Sequence, residues 1–129
     1  MNLSKLAEAP EYTDGYFDLY DMVDVPDENN PDFPVKKLKA RKIGGRLARI
    51  WYRETQIYDR TRIAFDQASR QVTIKIRIPK WNGINSDCVC IVGGDQHRVY
   101  NAVSVISSQG YEETEITLIK PDVVYEVIE

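Results

Sequence analysis

The only histidine, His97, stands beside Asp95 in a Gly-Gly-Asp-Gln-His run, where this chain brings a carboxylate and an imidazole together. A catalytic triad needs such a base with a nucleophile across from it. No Ser or Cys is placed for that role, so the pair reads as part of a hairpin turn. Cys88 and Cys90 stand two apart on one expected strand, where they share a face and are badly placed to bridge each other. With His97 several residues away they fall short of a four-ligand zinc set, and they read as reduced, buried or half-buried thiols. Asp14, Asp18, Asp21 and Asp24 lack the alternating oxygen ligands and closing Glu of a calcium loop and read as a solvated face. Gly44-Gly45 and Gly93-Gly94 lack the spacing and the following Lys-Ser/Thr of a phosphate loop and read as turns. No catalytic residue, metal ligand or cofactor is assigned. Trp51, Tyr52 and Trp81 invite comparison with base-stacking platforms, but Thr73, Lys75 and Arg77 have no aromatic interleaved among them, unlike the surfaces of single-strand binders. Core or interface roles suit both tryptophans better.

Charge carries more information than any motif. Residues 6–35 hold nine acids and no Lys or Arg; residues 36–80 hold fourteen basic residues against Glu54, Asp59 and Asp66; residues 81–129 hold eight acids and two bases. Segregation of this kind is read as an argument about association. Three uses of the basic stretch compete: a solvated surface, a sequence-independent face for duplex phosphates, or a dock for acidic surface, either this chain's own residues 6–35 or a neighbouring copy's. The matched opposite charges favour the last. Arg49, Arg53, Lys75 and Arg77 on one side and Asp18, Asp21 and Asp24 on the other are the candidate subunit or adaptor interface.

The elements that must position these residues are mostly strands. In residues 72–78, Val72, Ile74, Ile76 and Ile78 alternate with Thr73, Lys75 and Arg77, the period of a strand with one buried face, and Pro79 ends the run. Residues 88–92 and 98–106 are two further strands joined through Gly93-Gly94, and the three are expected to form an antiparallel meander. Residues 47–53 pass for a strand, with a hairpin at Gly44-Gly45. Residues 115–120 give a closing strand, and residues 123–129 an edge strand or a last helical turn. Residues 17–25 fit neither period cleanly. Residues 26–34, with three prolines and two asparagines, form a loop or connector, so residues 1–34 are expected to be an acidic arm and connector ahead of one domain, 35–129. Residues 55–69 are expected to be helical or an ordered loop. At 129 residues, 43% hydrophobic and 29% charged, the chain is expected to be a single domain. It is mainly β: a small antiparallel barrel or sandwich with a helical or loop insertion and an N-terminal acidic arm. No run approaches the ~20 apolar residues that span a bilayer, and the polar, early-acidic N-terminus is unlike a secretory signal. No membrane role is expected, and a cytosolic or virion setting fits.

Taken in order, RLARIWYRET, YDRTRIAFDQAS, VTIKIRIPK, CVCIVGGDQHRVYNAVSVI and EITLIK resemble the head-tail joining proteins (head-closure, stopper or neck proteins) of long-tailed bacteriophages, over residues 47–121. The matching features are a Trp-bearing strand at Ile50-Trp51, a Tyr-, Ala- and Gln-containing insertion at 58–68, an apolar strand with Arg77, a hairpin at 89–100 and a closing strand at 116–119. Two features depart from the pattern: the longer acidic lead-in and the longer Gly-Gly-Asp-Gln-His hairpin. The resemblance implies a non-enzymatic barrel subunit of a ring below the portal and its adaptor, in the virion neck and assembled in the host cytoplasm. It implies a ring that closes or lines the DNA exit channel, receives tail proteins and meets passing double-stranded DNA without sequence specificity. It also implies that the insertion, with Tyr58, Arg60, Arg62, Gln67 and Arg70, faces the lumen. The alternative is a small oligonucleotide-binding-type barrel that holds nucleic acid through the basic residues 36–80.

Overall fold

Every regular element among the described residues, 10–55 and 72–128 of the computed structural model, is a β-strand. In chain order they are β1 (Gly15–Val25), β2 (Val35–Ala40), β3 (Lys42–Ile43), β4 (Arg46–Leu47), β5 (Arg49–Glu54), β6 (Val72–Pro79), β7 (Cys88–Val92), β8 (Asp95–Ile106), β9 (Glu112–Ile119) and β10 (Val127–Ile128). Neighbours run β1-β5-β6-β9-β8-β7, and β7 returns to β1 through Asp18↔Ile91 to Asp21↔Cys88. Six strands thus close into an antiparallel barrel, which leaves no free edge around the ring.

Alternation builds the interior. Phe17 and Leu19 of β1, Tyr52 of β5, Ile76 and Ile78 of β6, Cys88 and Cys90 of β7, Val99 of β8, and Ile116 and Leu118 of β9 are all buried in one cluster, and Ile84 enters it from the β6–β7 connection. Closed strands expose one face each, so a one-residue slip on any of them would turn these side chains to water. Gly15 lets β1 pass over the Tyr52 ring: a Cβ there would stand 2.6 Å from the phenol oxygen.

The expected meander is corrected. β6 does not neighbour β7; it lies between β5 and β9, while β7, β8 and β9 follow one another by hairpins. The three hairpin-linked strands with a fourth returning beside the last of them make a Greek key. Residues 80–87 are too long for a tight hairpin and cross one end of the barrel instead. The crossing is held by Trp81, whose N–H donates to Thr114 Oγ1 at 2.9 Å and whose carbonyl accepts from that hydroxyl at 3.0 Å.

The expected acidic arm is corrected as well. Residues 15–25 are β1, a wall strand paired on both sides, and its ambiguous pattern has a physical cause: the strand changes role along its length. Gly15 to Asp21 line the barrel against β5 and β7, whereas residues 20–25 continue with β2 as a two-stranded ribbon, from Tyr20↔Ala40 to Val25↔Val35. Residues 26–34 are the turn at the tip of that ribbon. Beside Leu19, the partner strand is interrupted by the β3–β4 hairpin: the Leu19 N–H donates to the Ala48 carbonyl, and the Arg41 N–H donates to the Leu19 carbonyl. Gly44 and Gly45, at φ 59° and 78°, turn this hairpin, as the primed turns of two-residue loops require.

The C-terminal segment straps the outside. Gln96 donates to the Tyr125 carbonyl at 2.7 Å and accepts from the Tyr125 N–H at 2.8 Å, and β10 then runs parallel to β2. Residues 123–129 therefore hold an edge strand. The helical or loop expectation for residues 55–69 lies, except for Thr55, outside the described residues.

Candidate interaction surface on the barrel wall

Because inward positions are apolar, the outward positions of β1, β5, β6 and β9 carry the charge, and they meet as cross-strand neighbours. Asp18 and Arg49 are register partners on β1 and β5, and Arg49 donates to both Asp18 oxygens, at 2.8 and 3.2 Å. The Arg49 guanidinium also lies 4.3 Å from the Tyr16 ring centroid, a cation–π distance. Tyr16 in turn meets Trp51, its register partner, edge-to-face at 5.1 Å. Trp51 remains 52% exposed and Tyr16 39%. An exposed Trp-Tyr-Arg cluster has the composition that dominates protein interfaces.

One strand further round, Arg53 pairs with Arg77 in register. Two cations side by side require anions, and β9 supplies them. Glu113 is fully buried; it accepts from Arg53 Nε at 2.9 Å and Nη2 at 2.5 Å, from the Tyr12 hydroxyl at 2.9 Å, and from Arg77 Nη1 at 3.5 Å. Glu115 accepts from Arg77 Nε at 2.9 Å and pairs with Lys75 at 3.2 Å. Burial alone would push the Glu113 carboxyl up, but the Arg53 and Tyr12 hydrogen bonds and the charges of Arg53 and Arg77 outweigh it and hold the group below its ordinary value. Tyr12 is pushed up to about 12, first by burial and then by its bond to Glu113.

The candidate interface residues thus fall into four places. Arg49 and Asp18 lie in the aromatic cluster, and Arg53, Lys75 and Arg77 lie in the Glu113–Glu115 network. Asp24 sits out on the ribbon, 3.5 Å from Lys36. Asp21 is on neither surface. It faces the barrel mouth, where Arg41 donates to both its oxygens at 2.6 Å and to the Gly83 carbonyl at 2.9 Å. The Arg41 hydrogen bond lowers the Asp21 pKa. Acids of residues 6–35 therefore meet bases of residues 36–80 within one chain. Glu113, Glu115 and Tyr12 were not singled out from the sequence; alternation along β9 was the available signal. Tyr58, Arg60, Arg62, Gln67 and Arg70 lie outside the described residues.

The reactive side chains are disposed for packing. Burial pushes the Cys90 thiol well above its ordinary value, which removes its thiolate character. The Cys88 thiol is also raised by burial, and it lies 3.5 Å from Asp21. Burial lowers His97, with Asp95 opposing. Among the described residues no group of three or more His, Cys, Asp or Glu could hold a metal ion. Among the described residues no helix is long and apolar enough to cross a membrane. Comparison with protein-family models and with curated proteins found no match.

Proposed function

We propose that the chain is a non-enzymatic subunit of a phage head-tail joining ring, seated below the portal and adaptor in the virion neck. The observation that carries this reading is a closed barrel in which two neighbouring strands, β5 and β6, are joined by a long connection. β5 and β6 pair through Arg53↔Arg77 and Glu54↔Ile76, the Thr55 N–H donates to the Lys75 carbonyl, and residues 56–71 join the two strands. In a ring, such an insertion is delivered to the channel from a rigid frame. Its Arg60, Arg62 and Arg70 would meet DNA phosphates, a contact that reads no sequence. The exposed Tyr16, Arg49 and Trp51 cluster on the wall gives the adaptor or the tail an anchor.

The nucleic-acid-binding alternative has less support. Arg41, Arg49, Arg53, Lys75 and Arg77 are each matched to a carboxylate, so these five cations add little to the positive field that drives phosphate binding.

The test uses DNA-filled tailless heads carrying portal and adaptor. Added protein is expected to retain the DNA against nuclease, and Trp51→Ala is expected to retain less of it at equal concentration. Equal digestion with and without the protein refutes the reading.

A further inference from the structure

The wall and ribbon pair many of their charges with one another, and two projections each gather several charges that have no ion pair to any other described residue. At the ribbon tip, Lys36 is taken by Asp24 and Lys37 by Glu126. Asp27, Glu28 and Asp32 are left with no ion pair to any other described residue. The tip is nonetheless organised. Asp27 Oδ1 accepts the Asn29 N–H at 3.1 Å, the Asn30 N–H donates to the Asp27 carbonyl at 3.2 Å, and the Phe33 N–H donates to the Asn30 carbonyl at 3.0 Å. These turns, with Pro26, Pro31 and Pro34, present Phe33 at 67% exposure. An apolar side chain held out by an ordered loop has already lost the freedom that binding would otherwise take from it.

The second projection is the β3–β4 hairpin. Lys42 and Arg46 at its base and tip, with Lys39 on the adjoining strand, are exposed and have no ion pair to any other described residue. Ile43, the register partner of Arg46, is 52% exposed. The two projections are opposite in sign, and each carries one exposed apolar side chain. They leave β1 at different levels: the hairpin beside Leu19, the tip beyond Val25. Six residues of strand separate them by roughly 20 Å, so within one copy they do not satisfy each other.

We infer that the acidic tip of one copy docks on the basic β3–β4 hairpin of a second copy, with Phe33 packing against Ile43, and that this junction joins copies head to tail. The two surfaces are different patches of the same chain, so the contact is heterologous and propagates to a ring or a filament. Opposite charges set the partner and the direction. The inference deepens the proposed ring by naming its junction, and it is tested without any phage component.

Two variants divide the junction: Asp32→Lys with Phe33→Ser at the tip, and Lys42→Glu with Arg46→Glu on the hairpin. All four positions are exposed, so each variant should unfold at the wild-type midpoint, which serves as the folding control. In sedimentation velocity at rising concentration, the wild type is expected to associate beyond a dimer, less so at high salt. Each variant alone is expected to associate at least ~10-fold more weakly. An equimolar mixture of the two is expected to stop at a dimer, because only one sound junction remains. A wild type that stays monomeric, variants that associate as it does, or a mixture that grows past a dimer each overturn the junction. Heads closed by a hairpin variant as well as by wild type would also sink the junction and leave the phage reading standing. Association without head binding would sink only the phage reading.

Discussion

Replacing Glu113 with Gln keeps the shape of the side chain and removes one charge from a site with no exposure. Gln turns an amide NH2 toward Arg53 or Arg77, so donor faces donor where a carboxylate oxygen stood. Removing one partner of a buried pair costs about 3–5 kcal/mol. Here the Arg53 and Arg77 side chains keep 27% and 23% exposure, and Arg77 retains Glu115, so solvent screening reduces the cost to about 2–3 kcal/mol. For a domain of this size that lowers the melting temperature by roughly 10 °C. The pH dependence has a definite sign. Glu113 titrates below its unfolded value in the fold, so its contribution is fully present above about pH 4.3 and is lost as pH falls through the folded value. Urea unfolding of both proteins from neutral to acid pH should therefore show a gap that narrows in the acid range, since Asp21 titrates in both and cancels. A gap under ~0.5 kcal/mol at neutral pH, of the size expected for an exposed pair, or one unchanged through the acid limb, refutes the buried-network reading.

Three further outcomes follow from the packing. Gly83→Ala would place a Cβ 2.1 Å from Trp81 Cζ2, and displacing that ring should cost about 1–3 kcal/mol, measured by denaturant unfolding with a shift in tryptophan emission. Cys90, buried with its thiol pushed up, should resist alkylation in the native protein and react only as fast as the barrel opens; rapid native labelling at mild alkaline pH contradicts this. Gln96→Ala removes both bonds to Tyr125, at about 1 kcal/mol each. Hydrogen exchange should then rise at the Tyr125 amide and at Leu38, which donates to Glu126, and stay unchanged in β9.

The sequence made local structure legible where one physical pattern dominated. The alternation of residues 72–78 gave β6, and the glycine pairs gave both hairpin turns. β9 was legible only from Glu115, because Glu112 and Glu113 look like loop residues until their partners are known. Those partners are remote: Glu113 bonds to Tyr12, Arg53 and Arg77 across 101, 60 and 36 positions. Period-2 patterning says which face a residue takes and nothing about which strand lies alongside, which is why the alternation of β6 leaves its neighbours open. Charge segregation bears on the fold as well as on association. Read as a statement about association alone, it is also a statement about strand order, since the basic β5 and β6 lie between the acidic β1 and β9. The three blocks of charge become cross-strand pairs.

The most direct measurement on the proposed role is electron microscopy of DNA-filled tailless heads, carrying portal and adaptor, after incubation with the purified protein. A closed ring of barrel-sized subunits on the adaptor axis, with residues 56–71 directed at the channel, is the expected result. Heads that bind no protein, or bind it away from the portal vertex, contradict it.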